Sequence, residues 1–221
     1  MIDKGVIIEY DFAAIDGATL LYGLAESFLK NLDAIPFDRT IEARYFAGRN
    51  YQSAFEEYFP VVKTKKTALK AGRDFDEAVR RAFTAEVAKP ASAGFVDFVR
   101  NLVSRQVKVM ISTRADLETA RTGFAGLPGH GISYHQELST TYGGITWDMW
   151  RRRCAQCALH PRAAVAVTGS GLGVKAALRA GLGAVAVTNE HCAYQDYTGC
   201  NEFFRSLDAS AAGSIFRILK I

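Results

Sequence analysis

Apolar and polar positions along the chain follow two patterns. Short, near-continuous apolar runs at Val6-Ile7-Ile8, Val107-Lys108-Val109-Met110-Ile111, Ala163-Ala164-Val165-Ala166-Val167 and Ala184-Val185-Ala186-Val187 read as strands covered on both faces. Elsewhere apolar residues recur every three or four positions: Leu21, Leu24, Ala25, Phe28, Leu29 and Leu32 predict a helix over 18–32, and Phe95, Phe98, Val99 and Leu102 one over 95–104. Helices over 116–124, 147–159 and 174–180 and a strand around 132–135 complete the alternation. A succession of this kind predicts an α/β fold whose parallel sheet is joined by right-handed crossovers. The interval from 19 to 90 departs from it, with helices over 37–47, 51–59 and 74–87 and no strand. The expected organisation is a core of residues 1–18 and 91–221 with a helical insertion over 19–90, closed by the linker Pro90-Ala91-Ser92-Ala93-Gly94. The insertion's aromatics (Tyr45, Phe46, Phe55, Tyr58, Phe59) are expected to pack its helices together.

Composition narrows the function classes. At 221 residues and 49% hydrophobic content the chain can build a large core. Its net charge of +4 comes from 27 basic and 23 acidic residues that are interspersed, so no nucleic-acid partner is implied. Arg151-Arg152-Arg153 is expected to be the solvated face of a helix. No run approaches the about 18 apolar residues of a membrane span, and no signal-like leader is visible, which predicts a cytoplasmic protein without a membrane partner. Cys154-Ala155-Gln156-Cys157 with His160 has the elements of a zinc site, but it falls in a helical apolar pattern and reads as buried free thiols.

Candidate chemistry gathers where strands end, since ligands in parallel sheets sit outside the strands' carboxyl ends. Glu9 and Asp11 follow the first strand, and a spacing of two in extended chain sends both carboxylates to one side. The bland reading makes them a solvated strand end. Ser112 and Thr113 end the second strand, where they can bind an anion or cap the following helix. Gly169-Ser170-Gly171-Leu172-Gly173 lies between a strand and a helix, where backbone amides can hold an anion. His130 and His135 fall in the polar 126–144 stretch and read as surface residues.

Taken in order, these segments resemble the haloacid dehalogenase superfamily, in the subclass with a helical cap after the first strand. The family's first motif, Asp-x-Asp-Gly-Thr-Leu-Val-Asp-Ser after a strand, aligns with Glu9-Tyr10-Asp11-Phe12-Ala13-Ala14-Ile15-Asp16-Gly17. Its second, a strand ending in Thr or Ser, aligns with Val109-Met110-Ile111-Ser112-Thr113. Its fourth, Gly-Asp-Ser-x-x-Asp before a helix carrying Ala-Ala and Ala-Gly, aligns with Thr168 to Val174, then Ala176-Ala177 and Ala180-Gly181. Thr188-Asn189-Glu190 and Gln195 to Gly199 resemble the final strand and loop.

The resemblance implies a Rossmann-like core with a helical cap, and a phosphoryl-transfer site in which one aspartate attacks, the second moves a proton, Thr/Ser and a lysine hold the phosphoryl group, and acids hold Mg²⁺. Here the nucleophile position is Glu9, the metal positions are Gly169 and Gly173, and no lysine lies between Lys108 and Lys175. The expectation is a pseudoenzyme that has lost Mg²⁺-dependent phosphatase turnover, with no bound cofactor and a pocket kept for a small phosphorylated or anionic ligand. Two alternatives stand beside it: a metal-independent hydrolase using Glu9 and Asp11, and an anion- or nucleotide-binding module using Gly169, Ser170 and the turn to Gly173.

Overall fold

The computed structural model describes residues 3–136 and 145–221. Part of the 126–144 stretch therefore lies outside the described residues. Six parallel strands form one sheet in the order β3-β2-β1-β4-β5-β6, with β1 Gly5–Glu9, β2 Lys108–Thr113, β3 Ile132–Gln136, β4 Ala164–Thr168, β5 Gly183–Val187 and β6 Glu202–Phe204. The predicted parallel α/β architecture is present, and β1 occupies its centre. Gly5 to Glu9 lie opposite Lys108 to Ser112 on one side, and Gly5 to Ile8 opposite Ala164 to Val167 on the other. All five residues of β1 are buried because both faces are covered.

Alternation along β1 divides the core. Val6 and Ile8 enter a cluster with Phe95, Phe98 and Leu102 of the helix Ala93–Ser104 and with Ile215 and Leu219 of the helix Ala209–Leu219. Ile7 points the other way, to Trp150 and Cys154 of the helix Trp147–Gln156 and Val174 and Ala177 of the helix Gly171–Ala180. A third cluster belongs to the helical stretch between the first two strands: Leu21, Leu29, Phe46, Phe55, Phe75 and Phe83 bury one another. It is built by the helices Gly17–Asp33, Tyr51–Val62 and Ala68–Val87 and by a π-helical turn, Glu42–Phe46. Phe75 meets Tyr51 edge-on at 4.8 Å and Phe55 at 5.9 Å, the arrangement that aromatic quadrupoles favour.

In chain order the helices are α1 Tyr10–Ala13, α2 Gly17–Asp33, α3 Arg39–Ile41, α4 Tyr51–Val62, α5 Ala68–Val87, α6 Ala93–Ser104, α7 Leu117–Phe124, α8 Trp147–Gln156, α9 Gly171–Ala180 and α10 Ala209–Leu219. Local chemistry sets many of their ends. Asp16, Asn50, Ser92, Asp116, Thr146 and Ser170 each cap a helix by accepting an amide two or three residues inside it. Gly181 ends α9 in the left-handed conformation, φ 92°. Helix α9 begins at Gly171 rather than at 174, so Gly171-Leu172-Gly173 is a helical first turn and not a free glycine loop. No helix among the described residues is long and apolar enough to cross a membrane.

Candidate functional site

Strand β1 ends at Glu9, and the chain turns at once into the four-residue helix α1. Asp11 therefore projects from a helical turn, and the two carboxylates do not share a strand face. Neither is solvated: Glu9 is 6% and Asp11 3% exposed. The solvated strand-end reading is corrected by the packing of Tyr10, which buries its ring edge-on against Phe95 at 5.3 Å and Phe124 at 4.9 Å and draws the turn into the core.

Each carboxylate is held by hydrogen bonds. The Thr113 hydroxyl donates to Asp11 Oδ1 at 2.5 Å, and the Arg114 amide donates to Asp11 Oδ2 at 2.8 Å. Burial pushes the Asp11 pKa up, opposed by the Arg114 guanidinium and the Thr113 hydroxyl. Thr168, fully buried at the end of β4, donates to Glu9 Oε2 at 2.5 Å, and Arg153 Nη1 lies 3.7 Å from Glu9 Oε1. Arg153 itself is 3% exposed, with its guanidinium 4.8 Å from the Trp150 ring centroid. The reading of Arg151-Arg152-Arg153 as one solvated face thus holds for the first two and fails for the third. Helical spacing is the reason: Trp150, Arg153 and Cys154 lie at i, i+3 and i+4, one buried stripe of α8 facing the sheet.

These groups floor a cleft with about 80 Å³ of space for water-sized groups. Glu9, Ser112 and Thr113 line it from the sheet and Asp11 from α1. Gly48, Arg49, Asn50, Tyr51 and Asp76 line it from the helical segment, and Ile145, Thr146, Met149, Arg152 and Arg153 from the region of α8. Phe12 and Arg114 complete it. Arg114 stacks over Phe12 at 5.4 Å and Phe83 at 5.9 Å, which orients its guanidinium against the apolar wall. Arg49 and Arg152 pair at the rim with Glu57 at 2.6 Å and Asp148 at 3.3 Å.

The structure thus brings together four of the six candidate residues read from sequence. Gly169 and Ser170 do not line it but pack behind Phe12 and Gly48, which do. Ser170 Oγ accepts the Gly173 amide at 3.0 Å, and the Gly171 amide donates to Gln195 Oε1 at 2.8 Å, so two amides at the start of α9 already have partners. Gly169 packs against Phe12: a Cβ built there would lie 2.4 Å from Phe12 Cβ. Thr113 is not a helix cap, because Asp116 caps α7, and its hydroxyl accepts the Ala115 amide at 3.1 Å besides donating to Asp11. The four cysteines are free, Cys154 and Cys192 buried, and burial pushes the Cys154 thiol up to about 11. His130 is exposed, and His135 sits half-buried on β3. Arg49, Tyr51, Asp76 and Arg114 are the lining groups that motif reasoning misses. Arg114 was within reach, since it directly follows the strand end at Thr113.

No protein-family model matches the sequence, and no curated protein matches it. Solved structures do. A putative β-phosphoglucomutase from Bacteroides vulgatus superimposes with a TM-score of 0.72 at 18% identity, covering 100% of this chain and 91% of that one. A phosphonoacetaldehyde hydrolase-like protein from Oleispira antarctica gives 0.70 at 14%, covering 100% and 95%. CbbY from Rhodobacter sphaeroides, in complex with phosphate, gives 0.65 at 17%, covering 93% and 95%. An Entamoeba histolytica protein described as an HAD hydrolase of family IA aligns over 99% of this chain and 100% of its own, with a TM-score of 0.68 at 12% identity. The sheet order, the helical segment after β1 and these superpositions agree: the chain has the haloacid dehalogenase-like fold.

Proposed function

We propose that this protein binds a small oxyanion of the phosphoryl type in the cleft between the sheet and its helical cap, without a divalent cation and without Mg²⁺-dependent phosphomonoesterase turnover. The observation that carries this reading is the state of Glu9. A nucleophile must sit in line with its target, and misplacement by about 1 Å costs on the order of a hundredfold. Glu9 is one methylene longer than the aspartate that the resemblance implies there, and the Thr168 hydroxyl and Arg153 guanidinium hold its carboxylate in one orientation.

The residues present do not fit a magnesium ion. A hard cation asks for several convergent oxygens. The family's metal position at 169 is a glycine, and an aspartate there has no room beside Phe12. Among the described residues no group of three or more His, Cys, Asp or Glu could hold a metal. Positive charge comes from guanidinium groups instead. Arg114 and Arg153 stand beside Glu9, Asp11 and Asp76 in the lining, with Arg49 and Arg152 ion-paired at its rim, and planar guanidinium forks suit phosphate oxygens. The phosphate complex of CbbY, a protein of the same fold, makes phosphate the first ligand to try.

Isothermal titration with inorganic phosphate in chelator-treated buffer tests binding, and hydrolysis of a generic phosphomonoester with and without Mg²⁺ tests turnover. Saturable phosphate binding without turnover is the expected result. Robust hydrolysis lost on Glu9→Gln, with or without metal, would overturn the reading and favour an active hydrolase using Glu9 and Asp11.

A further inference from the structure

Tyr51 opens α4 on the cap side of the cleft, with Asn50 capping the helix before it. Its ring is 5% exposed and pinned edge-on to Phe75 at 4.8 Å, so the side chain has little freedom to turn away. The hydroxyl is buried and makes no hydrogen bond among the described residues. Leaving such a group unpaired costs about 1–3 kcal/mol, and a group left so in a folded protein calls for an occupant. Tyr10 and Trp150 also have unpartnered buried polar atoms, yet neither lines the cleft, whereas Tyr51 does.

The surroundings decide what the occupant is. Burial keeps the Tyr51 phenol protonated, with Arg114 acting on it from one side and the carboxylates of Asp76, Asp11 and Glu42 from others, so it is available as a donor. A phenolic O–H and a guanidinium facing one space present donors to an oxygen carrying negative charge. Space limits the ligand too, since the cleft offers only about 80 Å³ to water-sized groups.

Building on the anion-binding reading above, we propose that the Tyr51 hydroxyl is the cap-side hydrogen-bond donor to a compact oxyanion, of the size of inorganic phosphate or a one- or two-carbon phosphate or phosphonate. Tyr51 then sets specificity, since its fixed ring closes the cleft to bulkier esters while its hydroxyl rewards an oxygen at that end.

The test compares the full-length protein with Tyr51→Phe by titration with inorganic phosphate and with glucose 6-phosphate, alongside thermal unfolding of both proteins without ligand. The wild type is expected to bind phosphate and not glucose 6-phosphate. Tyr51→Phe should bind phosphate about tenfold or more weakly, the usual effect of losing a hydrogen bond to a charged group. Without ligand it should be no less stable, because it removes a hydroxyl that has no internal partner. Equal phosphate affinity in the two proteins overturns the role of Tyr51 and leaves the anion site standing. Loss of ligand-free stability in Tyr51→Phe overturns it too, by revealing a structural bond. Tight binding of glucose 6-phosphate overturns the size limit, and no phosphate binding by either protein overturns both this inference and the reading beneath it.

Discussion

Glu42 should make this protein less stable as the pH rises through neutrality. It sits in the π-helical turn, 7% exposed, and its Oε2 has no hydrogen-bond partner among the described residues. The groups that sense its charge are Tyr22, Tyr51, Tyr197 and Cys192, all neutral at pH 7, and Gln195 supplies a hydrogen bond. Burial without a cation pushes its pKa from 4.5 up to about 7.

The sign follows from proton counting. Below 4.5 both folded and unfolded states hold the proton, and there is no penalty. Between 4.5 and about 7 the folded state holds a proton that the unfolded state has released, so stability falls with pH, and above 7 the full cost applies. At about 1.36 kcal/mol per pH unit, that interval corresponds to roughly 3 kcal/mol as an upper value. Glu42→Gln keeps the shape and removes the titration. Urea unfolding of both proteins at pH 5 and pH 8 measures the effect, and the difference of differences cancels every other titrating group. The variant should gain up to roughly 3 kcal/mol on the wild type between the two pH values. Parallel pH–stability profiles would refute the argument, because they would mean that the carboxyl is solvated or paired in both protonation states.

Three further substitutions probe the site and the cap. Gly169→Asp, which restores an acid at the aligned metal position, should lose about 1–3 kcal/mol by overpacking against Phe12, and Mg²⁺ should not raise its melting temperature; stabilisation by Mg²⁺ would show that a cation fits after all. Thr168→Val removes the buried donor to Glu9 and should cost about 1–3 kcal/mol in urea unfolding, and an unchanged midpoint would mean that Glu9 does not depend on this bond. Phe75→Ala empties the middle of the aromatic cluster, with an expected loss of about 3–5 kcal/mol and faster amide exchange in α4 and α5; exchange changes confined to the sheet would contradict the separate packing of that layer.

Much of the fold was legible because its strands are apolar on both faces. The runs at 6–8, 107–111, 163–167 and 184–187 each mark an observed strand to within one or two residues at either end, the periodicity at 95–104 marks α6, and the helix expected over 116–124 is α7. Short elements without periodicity were not legible. The four-residue α1 has no repeat to read, and the three-residue edge strand β6 has hardly more. Helix α10 did carry a signal, an Asp208 cap before Ala211, Ala212, Ile215 and Leu219 on one face, which a reading of the tail as a motif passes over. At the site, spacing placed Ser112 and Thr113 beside Glu9 and Asp11, but it misjudged solvent, because burial of Glu9 and Asp11 depends on Tyr10 meeting Phe95 and Phe124 from distant helices. Burial of Arg153 was open to helical-wheel reasoning, whereas Tyr51 and Asp76 reach the cleft only through the packing of the helical cap, which no local pattern encodes.

The central place of β1 bears on synthesis. Its partners lie about 100 and about 160 residues downstream, so at a translation rate of about 5–20 residues per second the strand waits roughly 8–30 s before both neighbours exist. Until β2 is made, Val6, Ile7 and Ile8 have no strand to pair with. The helical segment can bury its own aromatics first, since its contacts are local, and β1 keeps one edge unpaired until β4 is made. The strand that anchors Glu9 is therefore the one whose nascent form most needs shielding from other chains.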